Sequence, residues 1–182
     1  MRILEKVKAK NIPFSWVNID YLPDSIAKHK EIYLVDEHNK VEGLIFLFYS
    51  LFGDLKDDIV IFHQSWWDFC LDTWNFQKDE YDYEVATKSL ETQKYLSLLF
   101  ESDIEVGYSG CCKCKDWNKY LLIIIECIVS HQAPYSPLFF DLKNEFFFYL
   151  HHSGSVGIYY KEENEIIKRL LEVAYKEYKV TN

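Results

Sequence analysis

The sequence predicts an α+β fold in which helices cover an antiparallel sheet. Its C-terminal third holds three short strand-like runs, rich in aromatic and β-branched residues, that follow one another with turns between them. A long amphipathic stretch comes directly after these runs, which is typical of a helix covering a meander. The length of 182 residues suits one domain that buries about 70% of its unfolded surface, so we expect a single domain over residues 1–182.

The N-terminal half contains two predicted strands and one predicted helix. Residues 31–35 and 59–62 are short β-branched runs, and a turn is expected at residues 36–39. Residues 41–52 are apolar throughout and would suit a buried strand or a helix. Their ending at Gly53 favours the helix, because glycine commonly follows a helix C-terminus.

The central region predicts two further helices separated by a loop. Residues 83–102 have the composition of one uninterrupted helix, and residues 107–115 read as a loop. Asp116 is a candidate N-cap for residues 117–130, whose apolar side chains fall at helical spacing. Residues 121–125 also fit a buried strand, but the length of the stretch favours a helix. The expected inward positions of the first helix are Val85, Ala86, Leu90, Leu96, Leu99 and Phe100.

The C-terminal meander and its covering helix are predicted most directly. Residues 138–142 and 145–151 read as strands joined by a two-residue turn, and residues 156–160 read as a third strand. Residues 162–178 then form an amphipathic helix with acidic side chains in its first turn. Its apolar stripe is expected to be Ile167, Leu170, Leu171, Ala174, Tyr175 and Tyr178.

The acidity of the chain is concentrated in one segment. The net charge is −9, and residues 54–105 hold 13 acidic side chains and four lysines, so this segment accounts for all of it. Within it, residues 66–84 interleave acids with aromatic rings. Acids attract a basic partner, and Trp and Tyr often anchor protein interfaces. The predicted partner-binding residues are Trp66, Trp67, Asp68, Asp72, Trp74, Asp79, Glu80, Tyr81, Asp82, Tyr83 and Glu84.

Solubility is the alternative explanation for this acidic segment, because acidic surfaces keep proteins dispersed without any partner. Either way, the charge disfavours binding of DNA, RNA or an anionic membrane through this surface. No apolar run reaches the roughly 20 residues that cross a bilayer, and the first residues lack the apolar core of a signal peptide. We therefore expect a cytoplasmic protein with no nucleic-acid or membrane partner.

Five cysteines form the most chemically suggestive pattern. Their odd number and the missing export signal predict reduced thiols. Cys111, Cys112 and Cys114 would suit a soft metal or redox chemistry, with Lys113 and Lys115 lowering the pKa of a neighbouring thiol. Zinc sites usually pair such a string with a second one, which this sequence lacks, so no metal site is predicted.

His151 and His152 mark an alternative, enzymatic site. Ser153, Ser155 and Glu145 are near them in sequence, which would suit acid–base or nucleophilic chemistry. Adjacent strand residues point to opposite faces, so the two rings are not expected to share one ligand. The sequence contains no glycine-rich phosphate loop, G-x-S-x-G or H-E-x-x-H motif. We therefore favour a binding protein over an enzyme and expect no cofactor.

The segment Ala-Pro-Tyr-Ser-Pro at 133–137, the predicted hairpin at 138–150 and the string at 151–160 resemble a known family pattern. They are similar to small bacterial immunity proteins of polymorphic toxin systems, including the contact-dependent growth inhibition type. The resemblance covers residues 117–182 and carries over no site residues by position. It implies a cytosolic protein that binds a cognate toxin domain and blocks its active site. Such toxins are often basic nucleases, which suits an acidic partner.

Overall fold

The structure is a computed structural model that describes residues 2–8 and 11–182. The described residues form four α-helices, one eight-stranded sheet and one two-stranded hairpin, which confirms the predicted α+β class. The helices are α1 (Lys40–Phe52), α2 (Leu90–Glu101), α3 (Trp117–Val129) and α4 (Glu165–Glu177). The strands are β1 (Leu4–Lys6), β2 (Lys28–Tyr33), β3 (Ile59–His63), β4 (Trp74–Asn75), β5 (Glu80–Tyr81), β6 (Gly110–Cys114), β7 (Leu138–Asp141), β8 (Phe146–His151), β9 (Ser155–Tyr160) and β10 (Lys179–Thr181).

The large sheet is antiparallel throughout, with the order β1-β6-β3-β7-β8-β9-β2-β10. The predicted meander is confirmed as β7, β8 and β9, which lie at the centre of this sheet. Strand β2 returns from the N-terminal half to pair with β9, and β10 follows α4 to pair with β2. The small β4–β5 hairpin stands apart from the large sheet.

The helices cover one face of the sheet with a core made largely of aromatic rings. The ring of Phe52 in α1 stacks on that of Phe148 with centroids 3.7 Å apart, and Phe148 stacks on Phe139 at 4.8 Å. Phe48 also stacks on Trp117 at the start of α3. These ring contacts add specific geometry to the burial of large apolar area.

The opposite face of the sheet is apolar too, and the segment before β2 covers it. Phe14 stacks on Trp16, and these two rings contact Phe140 and Phe147 of the sheet. Because both faces are covered, successive strand residues are buried and do not alternate with polar ones. The structure thus accounts for the continuous apolar runs in the strands.

All four α-helices begin at side-chain caps. Asn39, Asp116 and Asn164 each accept a hydrogen bond from the backbone N–H three residues later, which satisfies one of the free donors at a helix start. The predicted cap at Asp116 and the helix after it are therefore confirmed. Helix α1 also ends before Gly53, as predicted.

The prediction of one helix over residues 83–102 is wrong in its first third. Ser89 caps α2 by accepting a hydrogen bond from the Thr92 N–H, and residues 85–87 form a separate 3-10 turn. The local capping bond starts a new helix where composition suggested a continuous one. Of the expected inward positions, Leu96 and Leu99 are buried, whereas the exposed ones are Val85, Ala86, Leu90 and Phe100.

The predicted loop over residues 107–115 is also wrong, because its second half is strand β6, between β1 and β3. Cys111 faces the core under the N-terminal segment, and Cys112 faces the helix-covered core. Free cysteine packs as a small apolar residue, which makes this string a buried strand. Its glycine and lysines had suggested a loop.

Smaller differences concern the ends of the C-terminal elements. The turn between β7 and β8 has four residues, 142–145, and Glu145 has a positive φ of 54°. Helix α4 begins at Glu165 after its cap, and Tyr175 is 58% exposed and so lies off the buried stripe. Within the described part of the chain, no helix has the length and apolar character needed to span a membrane.

Gly157 in β9 lies directly under the ring of Tyr149 from β8, where a Cβ atom would overlap that ring. We expect Gly157→Ala to lower the free energy of unfolding by about 1–3 kcal/mol through this overpacking. In a Tyr149→Ala background the same substitution should cost clearly less. Urea unfolding of the four proteins measures this, and an equal loss in both backgrounds would contradict the contact.

Candidate functional site

Two of the predicted anchors form the buried root of the acidic segment. The Trp66 indole donates to the carbonyl of Gly110 at 2.9 Å, and the Trp67 indole donates to that of Ile104 at 2.9 Å. Tyr95 in turn donates its hydroxyl to the Trp66 carbonyl at 2.7 Å. Because both tryptophans are buried, the expectation that they anchor a partner at the surface is corrected: they attach the segment to β6 and α2.

Two of the predicted acidic residues form hydrogen bonds within the chain. Asp68 accepts hydrogen bonds from the hydroxyls of Ser65 and Tyr83. Asp72 accepts from the Ser89 N–H at 2.9 Å and from the Thr92 hydroxyl at 2.6 Å, which ties it to the first turn of α2. Charged acceptors of this kind stabilise a fold more than neutral ones do.

Asp82 is half-buried beside the hairpin. It accepts from the Glu84 N–H at 2.9 Å and pairs with Lys88 at 3.6 Å. The backbone hydrogen bond, then the lysine charge, lower the pKa of Asp82. This carboxylate therefore fixes the chain that leaves β5.

The remaining predicted residues gather on the β4–β5 hairpin. The Trp74 ring contacts Tyr81 edge to face across the two strands at 4.9 Å, and Tyr81 stacks on Tyr83 at 6.2 Å. At the tip, Phe76 is 87% exposed, and Tyr81 is 48% exposed. The term hairpin surface denotes the exposed residues Phe76, Asp79, Glu80, Tyr81 and Glu84.

Phe76 is one of the rings interleaved with acids in the sequence, but it was not among the predicted partner-binding residues. Its neighbours Asn75 and Gln77 are polar, and the Asn75 side chain accepts from the Gln77 N–H at 3.0 Å, which is a turn signature. A large ring at the tip of such a turn has no core to enter. The signal was therefore available in the sequence as an aromatic residue inside a turn.

Much of the acidity outside the hairpin is engaged in ion pairs. Asp103 pairs with Arg2, Glu105 with Lys6 and Glu101 with Lys119. Among the described residues, no ion pair is found for Asp79, Glu80 or Glu84. The hairpin surface therefore presents three carboxylates for which the described residues provide no ion pair.

The cysteine string has no arrangement suited to metal binding: within the described residues no group of three His, Cys, Asp or Glu side chains is placed to hold an ion. Burial raises the pKa of Cys111 to about 11 and the pKa values of Cys112 and Cys114 to about 12. The expectation that neighbouring lysines lower these pKa values is therefore wrong. Cys70 and Cys127 meet in the helix-covered core with their sulfur atoms 3.9 Å apart.

The thiols of Cys111, Cys112 and Cys114 should react slowly in the folded protein. At pH 8 a thiol with a pKa of about 11 is roughly one part in a thousand thiolate, and the thiolate is the reactive form. We expect Ellman's reagent to label the string 111–114 only after denaturant is added. Cys114→Ser, which removes its half-exposed thiol, is the control for any slow native labelling. Rapid labelling at pH 8 would contradict the burial.

The histidine pair differs from its prediction. His152 lies in the turn after β8, where strand alternation no longer applies, so its ring lies 4.2 Å from that of His151 and 5.0 Å from that of His131. Burial, followed by the His152 charge, lowers the pKa of His151. Glu145, expected nearby, lies at the opposite end of β8.

The carboxylate that does approach this turn is Glu31 of β2. It accepts from the hydroxyl of Ser155, and the Ser153 hydroxyl links Ser155, at 3.2 Å, to His151 Nδ1, at 2.7 Å. Glu31 also lies 3.1 Å from His29 Nε2. A nucleophile–base–acid array needs one histidine that contacts both the serine and the carboxylate, whereas here His151 contacts Ser153 and Glu31 contacts a different histidine, His29. This network joins β2, β8 and β9 at one corner of the sheet.

His63, at the end of β3, is held neutral by burial. Its Nδ1 accepts from the Ser65 N–H at 3.0 Å, its ring contacts Phe69 at 5.7 Å, and burial lowers its pKa to about 4. An unfolded histidine titrates near a pKa of about 6.5, so the unfolded chain binds the proton first as the pH falls. The stability due to neutral His63 is complete above pH 6.5 and is lost progressively down to pH 4.

The measurement is the difference in the free energy of unfolding between pH 7 and pH 5. We expect His63→Phe, which keeps the ring but cannot take the proton, to show a smaller difference than the unmodified protein. His38→Gln removes an imidazole that is 97% exposed and forms only a surface pair with Asp36, so this control should retain most of the original difference. Equal pH dependence in all three proteins would exclude this role for His63.

A scan against protein-family models, a search of curated proteins and a search of solved structures each found no match for this chain.

Proposed function

We propose that this protein binds a basic protein domain through the hairpin surface, as an immunity or inhibitor protein binds a toxin. The exposure of Phe76 beside unpaired carboxylates is the observation that carries the proposal. Solubility alone would explain exposed acids, but it gives no reason for a fully projecting phenylalanine next to them. A basic, nuclease-type toxin domain is the partner class that suits this charge and the resemblance to immunity proteins.

The hairpin surface divides into two kinds of contribution. Its carboxylates would steer a basic partner and speed association, with an effect that salt screens. Its rings would supply the buried contacts that slow dissociation, because Tyr and other aromatic residues at the centre of an interface hold most of the binding energy. The contacts between the rings of Trp74, Tyr81 and Tyr83 hold them in place before binding.

The carboxylates are tested on a partner recovered by pull-down from the source organism and identified by mass spectrometry. We expect Asp79→Asn, Glu80→Gln and Glu84→Gln together to lower the association rate by about tenfold at low salt. Asp82 is left intact because it fixes the local chain. Surface plasmon resonance measures the rates.

The matched control is Asp54→Asn, Asp57→Asn and Asp58→Asn, which removes three exposed acids of the same segment away from the hairpin. Its net charge equals that of the test variant, so a general charge effect would slow both equally. An equal effect, or recovery of an acidic partner, would contradict docking at the hairpin.

Phe76→Ala should instead raise the dissociation rate.

A further inference from the structure

A groove of about 460 Å³ runs between α2 and α3, on the outer side of the helical layer. Its floor is formed by the buried side chains of Ile3, Leu98 and Ile123. Its walls carry Leu90, which is 63% exposed, and Leu122, which is 42% exposed. The floor of the groove is therefore apolar, and its walls present exposed leucines beside polar side chains such as Gln93 and Ser97.

The spacing of the lining residues suits a third helix. On α2 they are residues 90, 93, 94, 97, 98 and 101, and on α3 they are residues 119, 122, 123 and 126. Both sets follow the i, i+3, i+4, i+7 pattern of one helix face. The α2 set spans about 16 Å, which is about three helical turns and is the length of a short docked helix.

The two lysines on the rim of the groove are already neutralised by ion pairs with glutamates. Lys94 pairs with Glu126 at 2.7 Å, and Lys119 pairs with Glu101 at 3.8 Å, both between the two helices. Glu91 and Glu84 lie near the start of α2, and no ion pair is found for either among the described residues. The charge that is left near the start of α2 is therefore negative, which favours a basic occupant.

The groove is continuous with the hairpin surface. A second hollow, of about 350 Å³, lies on the other side of α2 and is lined by Tyr83 and Phe100. The two hollows share Val85, Ser97 and Glu101. Since Tyr83 stacks on Tyr81 of the hairpin, one continuous strip of surface, apolar at Val85 and polar at Ser97, leads from the hairpin to the groove.

The geometry points to this groove as the docking site for an amphipathic helix of the same basic partner. The apolar face of that helix would pack on Leu122, Leu90 and the floor, and its basic side chains would approach Glu84 and Glu91. The inference that the partner is basic rests on the proposed function. The inference that its helix has an apolar face rests on the groove alone.

Synthetic helical peptides of about 14 residues provide the probe. One has leucines on one face and lysines on the other, a second has the same composition without an apolar face, and a third carries glutamates in place of lysines. Fluorescence anisotropy measures their binding to the full chain, to Leu122→Glu and to Phe46→Glu. Phe46 is 66% exposed on α1, so this control adds the same charge away from the groove.

The amphipathic lysine peptide should bind the unmodified chain and the Phe46→Glu control equally. Leu122→Glu should weaken it by at least about tenfold even though the added charge attracts lysine, and the other two peptides should bind at least about tenfold more weakly. Leu90→Gln is the second variant, for use if Leu122→Glu is unfolded by circular dichroism. Equal binding to the Leu122 or Leu90 variant and the control would overturn the proposal.

Two further outcomes distinguish this proposal from the function on which it rests. If sedimentation shows a dimer that Leu122→Glu abolishes, a second copy of the chain occupies the groove and the proposal fails. If the groove variants leave peptide binding unchanged but the hairpin variant slows association of the recovered partner, the groove proposal fails and the proposed function stands. If the groove variants weaken peptide binding but the hairpin variant leaves the association rate unchanged, the groove proposal stands and docking at the hairpin is excluded.

Discussion

The rest of this structure depends on the need to bury both faces of one eight-stranded sheet. The four helices pack on one face, and the segment before β2 covers the other. Phe139 and Phe140, adjacent in β7, enter the two cores in turn. Each phenylalanine ring of β7 and β8 contacts a ring from a helix or from that segment, so the aromatic content unusual for this length is mostly a consequence of two-sided burial.

That constraint also determines where the acids lie. The strands of the meander have little room for charge, and ten of the 13 acidic residues of the acidic segment lie in the connection from β3 to β6. Trp66 and Trp67 bind the first part of that connection to the core, and Asp68 and Asp72 hold its turns together. The part of the connection that these contacts do not hold is the short β4–β5 hairpin, whose tip residue Phe76 is exposed. The same buried root that removes two tryptophans from the candidate interface holds the exposed part in a defined position.

Sequence reasoning succeeded where a local signal and the tertiary structure agreed. Short-range sequence signals specify the cap at Asp116, the end of α1 at Gly53 and the meander from β7 to β9. It failed at β6, because adjacent cysteines in a two-sided sheet face different cores and show no alternation. It also placed Glu145 near the histidine turn, whereas Glu31 arrives there through the pairing of β2 with β9. Pairing between strands so far apart in sequence leaves no mark in either strand alone.

The distinction between structural and functional acids rests on partners within the chain. A carboxylate that accepts backbone or hydroxyl hydrogen bonds, as Asp72 does, lowers the free energy of the fold and has little capacity left for another protein. Asp79 and Glu80 have no such role, so their charge acts at a distance and affects the rate of encounter. Residence time depends on apolar contact, which the hairpin tip supplies only in part. A tight complex of this chain therefore needs apolar area beyond the hairpin, and the strip through Tyr83 to the α2–α3 groove is continuous with it.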